Sequence, residues 1–302
     1  MGAGHSHGTV TGQHRNRLIA VLVVTLTVLT VEVIGGIVSG SLALLADAGH
    51  MLTDAGGITL ALIASAFAAR PPTPERTFGY QRAEIFAAVA NALLLFGVAA
   101  YVLFEAVRRF ADPPAVSSGL MLSVAMIGLV ANAASLALLR GGQSSSLNLR
   151  GAYLEVLGDF LGSAAVIAAA LLIWFTGFER ADSIASALIG LMILPRTWAL
   201  LREALDVLLE ATPKGVDLGE VRSHMASVPG VVDVHDLHAW TITSGVPVLS
   251  AHIVVADPAL SEGGCAILDQ LAECLAGHFD LEHSTFQLES EAHRDHEPEQ
   301  HH

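Results

Sequence analysis

The stretch ADAGHMLTDAGG, residues 46–57, lies inside an apolar run covering 41–68, yet it carries Asp47, His50 and Asp54. A second stretch, YLEVLGDFLGS at 153–163, repeats the arrangement with Glu155 and Asp159. On a helix, residues four apart lie on one face about 6 Å along the axis, so His50 and Asp54 project side by side, as do Glu155 and Asp159. A carboxylate in hydrocarbon costs several kcal/mol, so each pair must face a cavity or bind something. Two such pairs on two helices can surround one ion with one nitrogen and three oxygens, a set that suits a tetrahedral divalent metal. The plainer alternative, polar residues that only hydrogen bond between helices, is weaker because the spacing occurs twice. Gly49, Gly56, Gly57, Gly158 and Gly162 are expected to let the two helices approach closely. Asp47, one turn before His50 on nearly the same face, reads as support for the ligands or as an accessory ligand. Glu32, Asn91 and Asn132 stand singly in other apolar runs, where interhelical hydrogen bonding or a proton step explains them.

Working outward, six apolar runs precede Pro213: 17–39, 41–68, 83–107, 117–140, 150–177 and 181–202. Each approaches the roughly 20 residues a helix needs to cross hydrocarbon. Of the 302 residues 53% are hydrophobic and 15% charged, with mean hydropathy +0.57, which points to a polytopic membrane protein rather than a soluble one. The first run is too long for the core of a signal peptide and has no small-residue cleavage site after it. VSGSLA joins the first two runs as a tight hairpin, and Pro195 is expected to kink the sixth or mark its emergence from the bilayer. With the N-terminus inside, the inner segments carry Arg15, Arg17, Arg70, Arg76, Arg82, Arg140, Arg150, Arg196, Arg202 and Lys214, against Arg108, Arg109 and Arg180 outside. That bias places both termini in the cytoplasm.

The chain divides into a His-containing cytosolic tail (1–16), a six-helix transmembrane domain (17–212), a cytosolic domain (213–291) and a tail (292–302) expected to be disordered. LGEVRSHMASV and GGCAILDQLAECLAGHF read as helices. GVVDVHDLHAWTI, VPVLSAHIVVA and HSTFQLES alternate as strands, with Ser244 and Gly245 in the first turn. The order α-β-β-α-β predicts a ferredoxin-like α+β fold. From Pro213 onward three basic residues, Lys214, Arg222 and Arg294, face fifteen Asp and Glu. This acidic balance excludes nucleic acid as a partner and favours cations. Cys265 and Cys274 are not spaced as a CxxC pair, so small buried hydrophobes are expected there rather than a thiolate cluster. His235 and His238 are three apart on a strand and face opposite sides, so one ion can take both only at a bulge or at the strand's end.

Five stretches carry a family resemblance: SGSLALLADAGHMLTDA, RTFGYQRAEIFAAVANALLL, NLRGAYLEVLGDFLGS, ILPRTWALLREALDVLLEATP and VHDLHAWTI. In this order, across nearly the whole chain, they resemble the cation diffusion facilitator family of divalent-metal/proton antiporters, and most of all its bacterial zinc/cadmium/cobalt resistance branch. The resemblance implies a homodimer in the bacterial inner (plasma) membrane, with zinc or another divalent transition metal as cargo and protons as counter-ion. It implies that His50, Asp54, residue 155 and Asp159 form the transport site. It also implies cytosolic metal binding at His235 and His252 with Glu289, and His238 in a second site.

One position departs from the zinc-transporting pattern, which has His where this chain has Glu155. None of the 14 His lies between 51 and 223, so no other intramembrane His can substitute. The site is therefore harder, which leaves zinc in competition with cobalt, manganese or iron. No accessory His stands in RPPTPERTFGYQR, and His5, His7 and His14 read as a weak collecting arm or a plain tail. H-E-x-x-H and Walker A motifs are absent, so neither a zinc protease nor an ATPase is expected, and no enzyme chemistry at all. A membrane metal sensor and a passive channel are the competing classes.

Overall fold

The computed structural model describes residues 8–140, 147–243, 245–279, 281, 283–294 and 296. Six helices precede the polar part of the chain: α1 (Gly8–Ser39), α2 (Leu42–Ala68), α3 (Ala83–Ala111), α4 (Ser118–Arg140), α5 (Leu147–Thr176) and α6 (Arg180–Leu208). All six contain segments long and apolar enough to cross a bilayer, with mean hydropathy between 1.5 and 2.4. The chain is a multi-pass membrane protein. α1 already begins at Gly8, inside the expected tail, while His5 and His7 lie outside the described residues. α6 runs unbroken through Pro195 to Leu208.

The chain packs as two compact units, the first comprising residues 1–60 and 90–200. Its core is built from small and branched residues, among them Ala43, Leu44, Ala99, Val124, Ala125, Val166, Ala170 and Ile189. Phe104, Val107 and Phe175 are largely exposed and suit the hydrocarbon around the bundle. The α1–α2 hairpin turns at Gly40, whose φ of +73° is the left-handed conformation glycine adopts without strain. Asp182, at the start of α6, fixes where α2 begins. It accepts from Ser41 Oγ (2.6 Å) and from the backbone N–H groups of Leu42 (2.8 Å) and Ala43 (3.2 Å). Those N–H groups have no partner within their own helix, and the buried carboxylate satisfies them.

The second unit comprises residues 61–89 and 201–302. It holds α7 (Leu218–Ala226), β1 (Val231–Thr241), β2 (Pro247–Val255), α8 (Asp257–Phe279), β3 (His283–Glu289) and α9 (Glu291–Arg294). This is the α-β-β-α-β order read from the sequence. β1 and β2 pair antiparallel, and β3 lies parallel to β2, a pairing that needs the long α8 crossover. Val221 and Met225 of α7, Leu249 and Ile253 of β2, and Leu271 and Leu275 of α8 fill the core between sheet and helices. Asp217 caps α7 by accepting from the N–H groups of Gly219 and Glu220. In the same unit Arg82 pairs with Glu210 at 3.0 Å and Thr243 Oγ1 donates to Glu84 at 3.2 Å.

Two expectations for this unit need correction. Cys265 is exposed and Cys274 half-buried, because both fall on the outer part of α8 rather than on its core stripe of Ile267, Leu271 and Leu275. The tail expected to be disordered from Ala292 begins as the short helix α9. Of the β1–β2 turn, Gly245 has φ +77°, while Ser244 lies outside the described residues.

Candidate metal centres

The first centre lies among α2, α5 and α6. Helical spacing sets His50 and Asp54 on one face of α2, with His50 Nε2 3.6 Å from Asp54 Oδ2. On α5, Glu155 lies toward Asp54, since one carboxylate oxygen of each is 3.8 Å from a terminal nitrogen of Arg196. Asp159, one turn further along α5, is buried, and its Oδ1 has no hydrogen-bond partner among the described residues. A cavity of about 140 Å³ opens between these helices, lined by Asp47, His50, Gly158, Gly162, Met192 and Arg196 among others.

Two residues that the sequence reading left out of the site belong to it. Arg196 on α6 places Nη1 3.8 Å from Asp54 Oδ2 and Nη2 3.8 Å from Glu155 Oε2. It had counted only as an inner charge for orientation, and the bias stands at nine against three without it. Its position after Pro195, inside an apolar run, is the signal that could have found it. Ser163, four residues after Asp159, donates from Oγ to Asp47 Oδ2 at 3.5 Å.

The glycines divide differently from expectation. Gly162 does serve the α2–α5 approach, since a Cβ there would fall 2.7 Å from Asp47 Oδ1. Gly49 and Gly57 instead meet Val98 and Asn91 of α3, and Gly56 and Gly158 face open space. The lone polar residues, expected to serve interhelical hydrogen bonding or a proton step, leave buried atoms without a hydrogen-bond partner among the described residues. Glu32 is 1% exposed with neither carboxyl oxygen partnered, and Asn91 Oδ1 and Asn132 Nδ2 are likewise unpaired. Glu32 lies instead near Gly128 and Ser163.

The second centre is in the three-stranded sheet. His235 on β1 stands opposite His252 on β2, and Glu289 closes the group from the end of β3. These three offer ligand atoms all within 4.8 Å of one another, the only such group of His, Cys, Asp and Glu among the described residues. The intramembrane residues do not close so tightly. His235 Nε2 meets Glu289 Oε1 directly, and His252 Nδ1 lies 4.0 Å from Glu289 Oε2. His235 and Glu289 are buried while His252 is half-buried, which leaves one open side.

The bulge required by the His235/His238 spacing is present. The β1–β2 register shifts between them, at Asp236, whose φ is +48°. His238 is nevertheless outside the three-ligand group. Its Nε2 lies 2.9 Å from Asp236 Oδ1, while Asp236 Oδ2 lies 3.7 Å from His252 Nε2. The hydrogen bond with His238, opposed by burial and aided by the charges of His238, His252 and His235, leaves the Asp236 carboxyl below its ordinary range. His293, in the tail assigned to disorder, reaches within 3.9 Å of Glu289 Oε2 because α9 puts it four residues on.

A profile described as the cation efflux transmembrane domain matches residues 18–209, and one described as the cation efflux protein cytoplasmic domain matches 213–291. The chain is 51% identical over 289 residues to the metal cation efflux system protein CzcD of Cupriavidus metallidurans, covering 96% of this chain and 90% of that protein. It is 41% identical to the zinc transporter ZitB of Escherichia coli, with 96% and 93% covered. A cadmium, cobalt and zinc/H(+)-K(+) antiporter of Bacillus subtilis is 38% identical, again over 96% and 93%. A solved metal-bound C-terminal domain of the CzcD transporter matches 24% of this chain and 99% of its own, at 39% identity and TM-score 0.23.

Proposed function

The chain belongs to the cation efflux family, the one its motifs resemble, and from that premise we propose that it exports a divalent transition metal, zinc first, in exchange for protons. His50, Asp54, Glu155 and Asp159 are the transport ligands, with Asp47 as accessory. The observation that carries this reading is the convergence of the Asp54 and Glu155 carboxyls, from α2 and α5, on the one Arg196 guanidinium, 3.8 Å from each, in an apolar bundle. Carboxyls so placed are stable only when a cation or protons neutralise them. A metal binds only deprotonated ligands, so metal and protons exclude each other there, which is the elementary step of antiport. The bundle alternates the access of this site between the two faces as its helices rock.

His235, His252 and Glu289 form a cytosolic metal site that senses the exported ion, with His238 at its edge. The protein is a homodimer in the inner membrane with both termini in the cytoplasm, 17–212 spanning the bilayer and 213–291 forming the cytosolic domain. The names of the relatives support transport over enzyme chemistry.

Glu155 favours a second reading of the cargo. With three carboxylates and one imidazole the site suits cobalt, manganese or iron better than a site with two His does. The deciding experiment uses everted membrane vesicles carrying an imposed proton gradient. Uptake of zinc, cadmium, cobalt and manganese is followed as the gradient is collapsed. Antiport predicts uptake that stops with the gradient. Uptake indifferent to it would mean a channel, and no uptake of any metal would mean a sensor.

A further inference from the structure

We propose that Arg196 is a tethered counter-ion for the transport site, holding between Asp54 and Glu155 the position of positive charge that the metal must take over. The inference rests on the assignment of the transport ligands above. Its geometry is direct, with each terminal nitrogen 3.8 Å from one carboxylate, one on α2 and the other on α5. The guanidinium therefore bridges the same two helices that the metal would bridge.

Charge counting explains why a chain with Glu155 uses such a residue. Asp54, Glu155 and Asp159 together carry three negative charges when ionised, one more than a divalent ion neutralises. Until a metal takes that position, the Arg196 guanidinium offsets one of these charges. Without it a divalent ion meets no resident competitor and is held more firmly. Exposure also fits a resident that can leave. The Arg196 side chain is 59% exposed, against 12% for Asp54 and 29% for Glu155. The guanidinium is thus the partner that moves most readily when a metal arrives, while the carboxylates stay in place.

Metal and Arg196 compete for the same carboxylates, and the coupling between them is negative and reciprocal. A residue that merely braced the helices would act in the opposite direction, because its loss would loosen the ligands and weaken binding. The sign of the affinity change therefore separates the two roles.

The test measures zinc binding by calorimetry and zinc flux in proteoliposomes, using full-length protein with His235→Ala and His252→Ala so that intramembrane binding is read. Arg196→Gln and Arg196→Met are expected to tighten zinc binding about tenfold and to slow turnover, while Arg196→Lys stays near the parent. With Glu155→His, which removes the extra carboxylate, the tightening from Arg196→Gln should shrink to about threefold or less. Weaker or unchanged binding in both neutral variants would overturn the proposal, as would equal tightening with and without Glu155→His. Retention of intramembrane zinc binding by Asp54→Ala and Asp159→Ala would instead overturn the ligand assignment on which it rests.

Discussion

The two candidate centres use the same ligand chemistry, imidazole and carboxylate, but assemble it in different ways. In the membrane the ligands come as i,i+4 pairs, and each pair is held together by its own helix before any tertiary contact forms. In the sheet each ligand comes from a different strand, and nothing local holds His235 to Glu289, 54 residues away. The two also meet their charge differently. The membrane pairs are bridged by Arg196, whereas the sheet group has the Asp236 carboxylate between His238 and His252. A helical site is thus preset and awaits a cation, while a sheet site depends on correct strand register. The first suits a carrier that must bind and release, the second a sensor whose binding reports on a folded domain.

The strongest way to break this comparison is to remove one ligand from each centre. Asp159→Ala is expected to cut proteoliposome flux by at least about a hundredfold, since the site loses one of its four proposed ligands. The dimer should still elute as a folded species on size exclusion. His252→Ala in the sheet is expected to weaken the cytosolic site by about a hundredfold in equilibrium dialysis, yet to change flux only severalfold. If both substitutions affected flux equally, the division between carrier and sensor would be lost.

Glu155→His sharpens the comparison by making the membrane site softer. Competitive uptake should move toward zinc and cadmium over manganese and cobalt by about tenfold, because imidazole suits the softer ions. The same selectivity before and after would remove residue 155 from the ligands.

How much of each centre could be read in advance follows from this difference in assembly. His50, Asp54, Glu155 and Asp159 were visible because helical periodicity converts sequence spacing into a shared face. The α-β-β-α-β order was visible from alternating strands and flanking helices. The role of Asp236 was hidden, since a bulge with a left-handed residue is a property of β1–β2 pairing rather than of the string VHDLH. Arg196 was hidden because its partners lie on α2 and α5, far away in sequence. The glycines misled for the same reason: spacing tells that a helix has small residues, but not which neighbour they face.

Smaller effects probe the scaffold around the membrane centre. Gly162→Ala should cost about 1–3 kcal/mol in thermal unfolding and lower flux, because its Cβ would press on Asp47 Oδ1 and part α2 from α5. Asp182→Ala removes the cap of α2 and should cost about 1–2 kcal/mol with ligand affinity nearly intact. Neither change should alter metal binding to the sheet.

The most direct test of the central claim follows zinc and proton movement together in proteoliposomes, with a zinc-responsive dye and a pH-responsive dye inside. Full-length protein and the His235→Ala, His252→Ala variant should both move zinc and protons in opposite directions, while Asp54→Ala and Asp159→Ala should move neither. Proton-coupled zinc movement surviving in both aspartate variants would contradict the account.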